Sequence, residues 1–276
     1  MTLDPAALAA LRVLMSVLGP NIPMVIVGAT VPMVLLDLQQ GRTGGRVTRD
    51  VDAVIQVATW EGWAGLKRRL FAVGFRPGRE PHRFYFGVAE LDVIPYSPAL
   101  VSGDRLEWPG EDRAMSALGL DEAFACARPQ ALAEDLVLPM VSLAGCVLLK
   151  LIAYRDRPAE RARDLVDVVY CFEHYAEEPG GSRHDVAGIV VDGRIVSYEE
   201  AGAYLLGTEV ATLARPAAQA AVREVLARLP DQYAWPIQQI LAEEQRWGDE
   251  GHRRAALWRL FRVFGAGLNA SDQQEA

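Results

Sequence analysis

Two aspartates set two residues apart, Asp50 and Asp52, interrupt the stretch Thr48-Arg-Asp-Val-Asp-Ala-Val-Ile55, whose other side chains suit a buried strand. Along an extended strand successive side chains alternate faces, so Val51, Ala53 and Ile55 pack inward while both carboxylates project together on the other side. Carboxylates held a few ångström apart repel, and the usual relief is a shared proton or a bound cation. A paired-aspartate strand end is one way a hard divalent ion such as magnesium is held against substrate phosphates. A third acid, Asp92, sits between Leu91 and Val93 in another apolar run, where a lone charge is costly without compensation. Lys150, between Leu149 and Leu151, either snorkels toward water or, facing carboxylates, meets phosphate oxygens. Asp164 and Asp167 share one face of a helix, where acids serve such a site or complement the helix dipole.

The elements that must position these groups follow from periodicity. Leu8, Leu11, Leu14 and Leu18 mark a helix over residues 4–18 that Gly19-Pro20 ends. Met24–Val27 reads as a buried strand running into Gly28-Ala29-Thr30, and Val31–Gln40 as a short helix with Pro32 in its first turn. A small-residue turn between strand and helix lets a phosphate approach backbone N–H groups. A Gly- and Arg-rich loop, Gly41–Arg46, then leads to the Asp50 strand. Trp60, Trp63, Leu66 and Leu70 mark a helix over 59–72, and His82–Phe86 with Glu90–Pro95 outline a hairpin. From Ala131 the pattern turns helical, with one helix over 136–154 carrying Lys150 and the next opening near Arg161. Farther on, Val190–Ile195 reads as a tight turn between short strands and Ser197-Tyr-Glu-Glu200 as a capping box. Pro216 starts a helix, Pro230 marks its end, and residues 271–276 read as a frayed tail; Leu257, Leu260, Phe261 and Phe264 form an apolar stripe that packs into the core or, with Arg253, Arg254, Arg259 and Arg262 around it, meets a partner or nucleic acid.

At 276 residues and 51% hydrophobic, the chain can bury one large core or two smaller ones. Its formal charge of -8 argues against coating nucleic acid by bulk electrostatics, although positive charge gathers locally in Lys67–Arg83 and Arg155–Arg163. Three scattered cysteines, Cys126, Cys146 and Cys171, argue against a disulfide framework. With no basic leader and no apolar run long enough to span a bilayer, the expectation is a cytoplasmic protein without a membrane partner. His82, His174, His184 and His252 lack zinc-ligand spacing, and neither a P-loop nor a Gly-x-Gly-x-x-Gly follows the first strand.

The order of these features resembles the polymerase-beta-like nucleotidyltransferases. Their hydrophobic-Gly-small turn falls on Val27-Gly28-Ala29, their Asp-hydrophobic-Asp on Asp50-Val51-Asp52, and their later strand acid on Asp92. Arg46-Val-Thr-Arg49-Asp-Val-Asp52 looks like the Arg-x-Thr-x-Asp-hydrophobic-Asp form of bacterial members. Lys150-Leu-Ile-Ala-Tyr-Arg155-Asp, followed by Arg163-Asp164-Leu-Val-Asp167, is similar to the helical signature of the AbiEii-type enzymes, the toxin side of type IV toxin–antitoxin pairs, a group that includes the mycobacterial MenT enzymes. The resemblance spans roughly residues 22 to 170. It departs at Ala29, where Gly or Ser is usual, so that a hydroxyl contact to phosphate would fall to Thr30, and in a longer spacer, residues 30 to 49, ahead of Asp50.

The resemblance implies an α/β (α+β) fold in which a small mixed β-sheet nucleotidyltransferase core, residues 1–130, is completed by a largely helical C-terminal lobe, 131–276. It implies transfer of a nucleoside monophosphate from an NTP to an acceptor such as a tRNA 3′ end, dependent on two magnesium ions, with a cognate antitoxin as partner. Asp50, Asp52 and Asp92 would hold the metal, Asp92 also assisting deprotonation of the attacking hydroxyl. Gly28, Ala29 and Thr30 would cradle the phosphates and Lys150 would neutralise them. Asp164 or Asp167 would orient Lys150 or the base, and Arg46, Arg49 and Arg155 would contact phosphate or acceptor. The competing readings are transfer to a small molecule of aminoglycoside type or to a protein, and a nucleotide-binding module without turnover, for which three clustered carboxylates have little use.

Overall fold

The computed structural model describes residues 3–38, 50–110, 114–177, 182–186, 188–244 and 250–270. The chain falls into two compact units, Met1–Ser142 and Leu143–Ala276.

The first unit opens with α1 (Pro5–Leu18), capped by the Asp4 side chain and ended at Gly19, where φ is 65°. Then come β1 (Met24–Val27), all four residues buried, and α2, which starts as Thr30–Pro32 and continues as a π-helical stretch, Met33–Leu38. Next are β2 (Asp50–Gln56) and α3 (Trp60–Ala72), the latter capped by Thr59 Oγ1, which accepts from Gly62 N at 3.1 Å. β3 (Arg76–Pro77), β4 (Arg83–Phe86) and β5 (Ala89–Tyr96) follow, β4 and β5 forming the hairpin expected from the sequence. β6 (Val101–Ser102), β7 (Arg105–Glu107) and β8 (Ala114–Ser116) make a small antiparallel sheet of their own. α4 (Leu120–Cys126), β9 (Arg128–Ala133) and β10 (Leu136–Met140) complete the unit.

Its main sheet is mixed and seven-stranded, in the order β3-β4-β5-β2-β1-β10-β9. β1 runs antiparallel to β2, and β2 parallel to β5, so the strand carrying Asp50 and Asp52 lies between the glycine turn and the third acid. The helix expected over 136–154 divides: residues 136–140 are strand, and the helix begins at Leu143. Leu136, Leu138 and Met140 are buried while Val137 and Pro139 are exposed, a period of two that apolar residues on both faces conceal. Residues 131–142 therefore belong with the sheet unit.

The second unit contains α5 (Leu143–Asp156), α6 (Ala162–His174), the hairpin β11 (Val190–Val191) and β12 (Arg194–Ile195), and α7 (Tyr198–Leu213), α8 (Pro216–Ala227), α9 (Trp235–Glu244) and α10 (Glu250–Ala270). α5 is buried nearly all round and packs on α6, α7 and α8, which explains its unbroken apolar run. The Ser197/Glu200 capping box opens α7 as the sequence indicates. α7 crosses α10 at paired glycines. A Cβ on Gly207 would lie 2.2 Å from the Phe264 carbonyl oxygen, and one on Gly267 would lie 2.1 Å from that of Tyr204. Both obstacles are backbone and cannot swing aside. Gly207→Ala should therefore lose about 2 kcal/mol in urea unfolding, because the overpacking cost exceeds the helix propensity that Ala gains; a stabilised variant would show that the helices do not cross there.

No helix among the described residues is long and apolar enough to cross a membrane.

Candidate active site

Val27, the last residue of β1, lies opposite Asp52 in the antiparallel register. The backbone then turns through Gly28 at φ 76°, a conformation that glycine adopts without steric cost. A Cβ at this position would stand 1.9 Å from Asp52 Oδ2 and 2.7 Å from its Cγ. The Asp52 carboxylate thus rests on the bare backbone of Gly28, and the small-residue turn and the second aspartate make a single feature. Ala29 already has helical dihedrals, and the fully buried Thr30 directs its hydroxyl to the Asp50 carbonyl oxygen at 3.4 Å, tying the turn to β2.

β2 and β5 pair in parallel with Asp50 beside Glu90 and Asp52 beside Asp92. Register partners share a face, and so do residues two apart, so four carboxylates form a block on one face of the sheet. The sequence singled out three of them; Glu90 is the addition. Arg83, opposite Asp92 on β4, donates through Nε and Nη2 to both Asp92 oxygens at 2.8 Å each, and its Nη1 lies 2.7 Å from Glu90 Oε1. The hydrogen bonds to Asp92 outweigh desolvation and hold the guanidinium further above its ordinary pKa. His82 Nε2 stands 3.8 Å from Asp92 Oδ2, and the His82 ring lies against Trp108 with centroids 5.4 Å apart.

The compensation that a buried Asp92 demands is therefore supplied by Arg83. The signal for it is in the hairpin: a two-residue turn at Gly87-Val88 pairs Phe86 with Ala89, and counting outward places Arg83 against Asp92. Among the described residues, no three His, Cys, Asp or Glu side chains converge closely enough to enclose a metal ion. Asp50 and Asp52 nonetheless offer the hard oxygen donors that suit magnesium, which takes one or two carboxylates and fills its shell with water and substrate phosphate. Both oxygens of Asp92 accept from Arg83, so an ion on Asp92 would share that carboxylate with a guanidinium.

The helical unit carries a cluster of its own. Lys150 on α5 donates from Nζ to Asp167 Oδ2 at 2.7 Å and to Asp164 Oδ1 at 3.1 Å, both acids lying on α6. Both candidates on that helix thus contact the lysine. Burial alone would lower the Lys150 pKa, but the charges of Asp164 and Asp167, with the Asp167 hydrogen bond, raise it above its ordinary value and keep the ammonium charged. Arg161 Nη1 reaches to 3.6 Å from Asp164 Oδ2. Arg155 instead pairs with its neighbour Asp156 through Nη2 at 2.8 Å and Nε at 3.0 Å. Arg46 and Arg49 lie outside the described residues.

A family model described as the nucleotidyl transferase AbiEii toxin of a type IV TA system matches residues 99–243, just over half of the chain. No curated protein matches the sequence closely enough to count as a relative. Among solved structures, the antibiotic-resistance factor ANT(2'')-Ia aligns over 96% of each chain at 11% identity with a TM-score of 0.34. An antigenic nucleotidyltransferase-like protein from Paracoccidioides brasiliensis aligns over 79% of this chain and 90% of its own, at 17% identity and a TM-score of 0.37. A candidate nucleotidyltransferase from H. pylori aligns over 99% of this chain and 100% of its own, at 11% identity and a TM-score of 0.38. All three TM-scores are too low for these likenesses to bear on function.

Proposed function

The chain belongs to the AbiEii nucleotidyltransferase family of type IV toxin–antitoxin systems, and from that premise we propose that it transfers a nucleoside monophosphate from an NTP to a tRNA 3′ end with magnesium as cofactor, arresting growth unless a cognate antitoxin restrains it. That it is a nucleotidyltransferase, with an NTP as substrate and an antitoxin as partner, follows from the family. The metal, the acceptor and the consequence for the cell are the proposal.

Phosphoryl transfer asks the protein mainly for positioning and charge neutralisation. Asp50 and Asp52 would hold magnesium, which when bound neutralises triphosphate charge and lowers the pKa of the attacking hydroxyl. Gly28 carries no side chain, which lets the Asp52 carboxylate sit against the turn. Lys150 would offer its ammonium to phosphate oxygens, and Asp164 and Asp167 would fix where that ammonium sits. Ala29, Arg46, Arg49 and Arg155 remain candidates for phosphate or acceptor contact, whereas Thr30, fully buried with its hydroxyl on the Asp50 carbonyl oxygen, ties the turn to β2 instead. The observation that carries the reading is the family match across 99–243, a span that contains Lys150, Asp164 and Asp167. For a chain of net charge -8, RNA must be met through local basic segments such as Lys67–Arg83 rather than through bulk attraction.

The test is to incubate the protein with magnesium, each α-labelled NTP in turn, and total tRNA or cell extract, beside Asp52→Ala. The expected result is label on the 3′ end of RNA with the wild type and none with the variant. Label on a protein or a small molecule would change the acceptor and keep the chemistry. Nucleotide binding without transfer to anything would overturn the reading.

A further inference from the structure

Positive charge is spread unevenly over this acidic chain. Residues 60–90 carry six cations, Lys67, Arg68, Arg69, Arg76, Arg79 and Arg83, against three acids, Glu61, Glu80 and Glu90, although the formal charge of the whole is -8. Arg83 is engaged with Asp92 and Glu90. Among the described residues, none of the other five has a carboxylate within 4.0 Å. Arg69 donates to the Val17 carbonyl oxygen at 3.1 Å, Arg76 donates to that of Gly87 at 3.2 Å, and Lys67 stands over the Trp63 ring. Such partners leave the charge uncompensated. Arg68, Arg69, Arg76 and Arg79 are also exposed, whereas the exposed Arg12, Arg157 and Arg194 each keep a carboxylate partner. Like charges left together on a surface repel, and an anionic partner relieves them.

The fold gathers these charges on one border of the sheet. α3 gives way at Gly74, with φ 102°, to β3, the outermost strand. Arg68 and Arg69 at the end of the helix and Arg76 and Arg79 on the edge therefore fall within twelve residues folded across a tight turn. Arg76 reaches the hairpin turn at Gly87. At the other end of the edge, Gly78 N donates to the Arg83 carbonyl oxygen at 2.7 Å and Arg83 N to that of Glu80 at 3.0 Å, which sets Arg79 beside the arginine that holds Asp92. The uncompensated cations thus run from the hairpin turn toward the acid block, which begins two strands in, about 10 Å at ordinary strand spacing. Phe71, Val73 and Val88 are exposed beside them, a combination that an anionic bilayer would also meet. The run of charge toward the acids decides for a polyanion whose end must reach them.

We propose that this edge, with Arg68, Arg76 and Arg79 foremost, is the surface on which the phosphate backbone of the acceptor RNA docks, its 3′ end directed toward the strand carboxylates. This rests on the tRNA reading above and names the surface that serves it. The contacts are to phosphate, so they position the RNA without reading its sequence and depend steeply on salt.

The test follows binding of fluorescently labelled total tRNA to the full chain by anisotropy, from about 50 to about 200 mM salt. It compares the wild type with Arg68→Gln/Arg76→Gln/Arg79→Gln and with Arg12→Gln/Arg157→Gln/Arg194→Gln, which removes the same charge from exposed, ion-paired positions; each is checked for a cooperative thermal melt. The edge variant should bind about tenfold or more weakly at ~100 mM salt. Its slope of log K against log salt should fall by about 2–3, because each lost phosphate contact removes about 0.7–0.9. The control should stay within about threefold with its slope unchanged. In the transfer assay the KM for tRNA should rise in the edge variant alone while the KM for NTP holds. If losing the Arg76–Gly87 contact lowers the melt, Arg68→Gln/Arg79→Gln should still show about two thirds of the slope change. Equal losses in the two triple variants, or an edge variant that binds and labels tRNA as the wild type does, would overturn the inference and leave the tRNA reading standing. So would an edge variant that keeps tRNA but loses binding to phosphatidylglycerol-containing vesicles, which would make the edge a membrane surface. A wild type that neither binds nor labels tRNA would overturn that reading and this inference together.

Discussion

Gly28→Ala should cost this enzyme both stability and activity, and adding Asp52→Ala to the same chain should return part of the stability and none of the activity. The introduced methyl group would be built 1.9 Å from Asp52 Oδ2, inside any contact distance, on a backbone whose φ of 76° already disfavours an L side chain. Left-handed strain and overpacking together cost about 2–4 kcal/mol. The carboxylate must also move, and displacing a metal-positioning group by about an ångström costs on the order of a hundredfold in rate. In the double variant the carboxylate is gone, and what remains is the approach to the residue 52 Cβ at 2.9 Å together with the backbone strain. The stability loss should then shrink by about 1–2 kcal/mol relative to Gly28→Ala alone, a coupling that only contacting residues show. Urea unfolding of the two single variants and the double, beside nucleotide incorporation by each, measures both halves. Strict additivity in stability, or an active Gly28→Ala, would mean that Asp52 does not rest on this turn.

That contact shows where the sequence was readable and where it stopped. The alternation of Asp50, Val51, Asp52 and Ala53 is a local property of an extended chain, so the projection of both acids to one face followed directly from residue order. The glycine turn was readable for the same reason, as a local backbone signal. What brings the two together is the pairing of β1 with β2, and that register runs across a stretch, residues 39–49, that carries no periodic pattern to fix it. The Arg83–Asp92 pair stood closer to view, because a two-residue hairpin fixes its own register. Asp92 stands out as an acid by residue type alone, and its arginine partner comes into view once its cross-strand neighbour is counted. β9 and β10 were hidden by composition. Val137 and Pro139 face outward yet are apolar, and Pro139 lies opposite Pro129, two residues that seldom mark a strand. On α6, by contrast, a spacing of three placed Asp164 and Asp167 on one face without ambiguity, and both reach the same lysine.

Lys150→Met should destabilise the helical unit more than it would if the lysine were only a catalytic group. Its side chain is 7% exposed and stands between Asp164 and Asp167, whose side chains are 14% and 7% exposed. Methionine keeps the length and apolar volume of the stem, so the cavity contribution is small and the change isolates the charge. Two carboxylates would remain buried without their ammonium, and removing one partner of a buried ionic cluster costs about 3–5 kcal/mol. Adding Asp164→Asn and Asp167→Asn should recover most of that loss while transfer stays absent, which separates the structural role of the cluster from its chemical one. The pH dependence follows from the direction of the lysine's shift. Because the folded-state pKa is raised, the lysine's contribution is fully present below its ordinary value and is lost only as pH rises through the higher folded value. The lysine's contribution should therefore show no loss as pH rises from about 7 to about 9, and a gap between wild type and Lys150→Met that closed on that rise would mean that the ammonium is not held by both acids. Urea unfolding at a series of pH values gives the answer without an activity assay, so the result stands whether or not the acceptor is yet known.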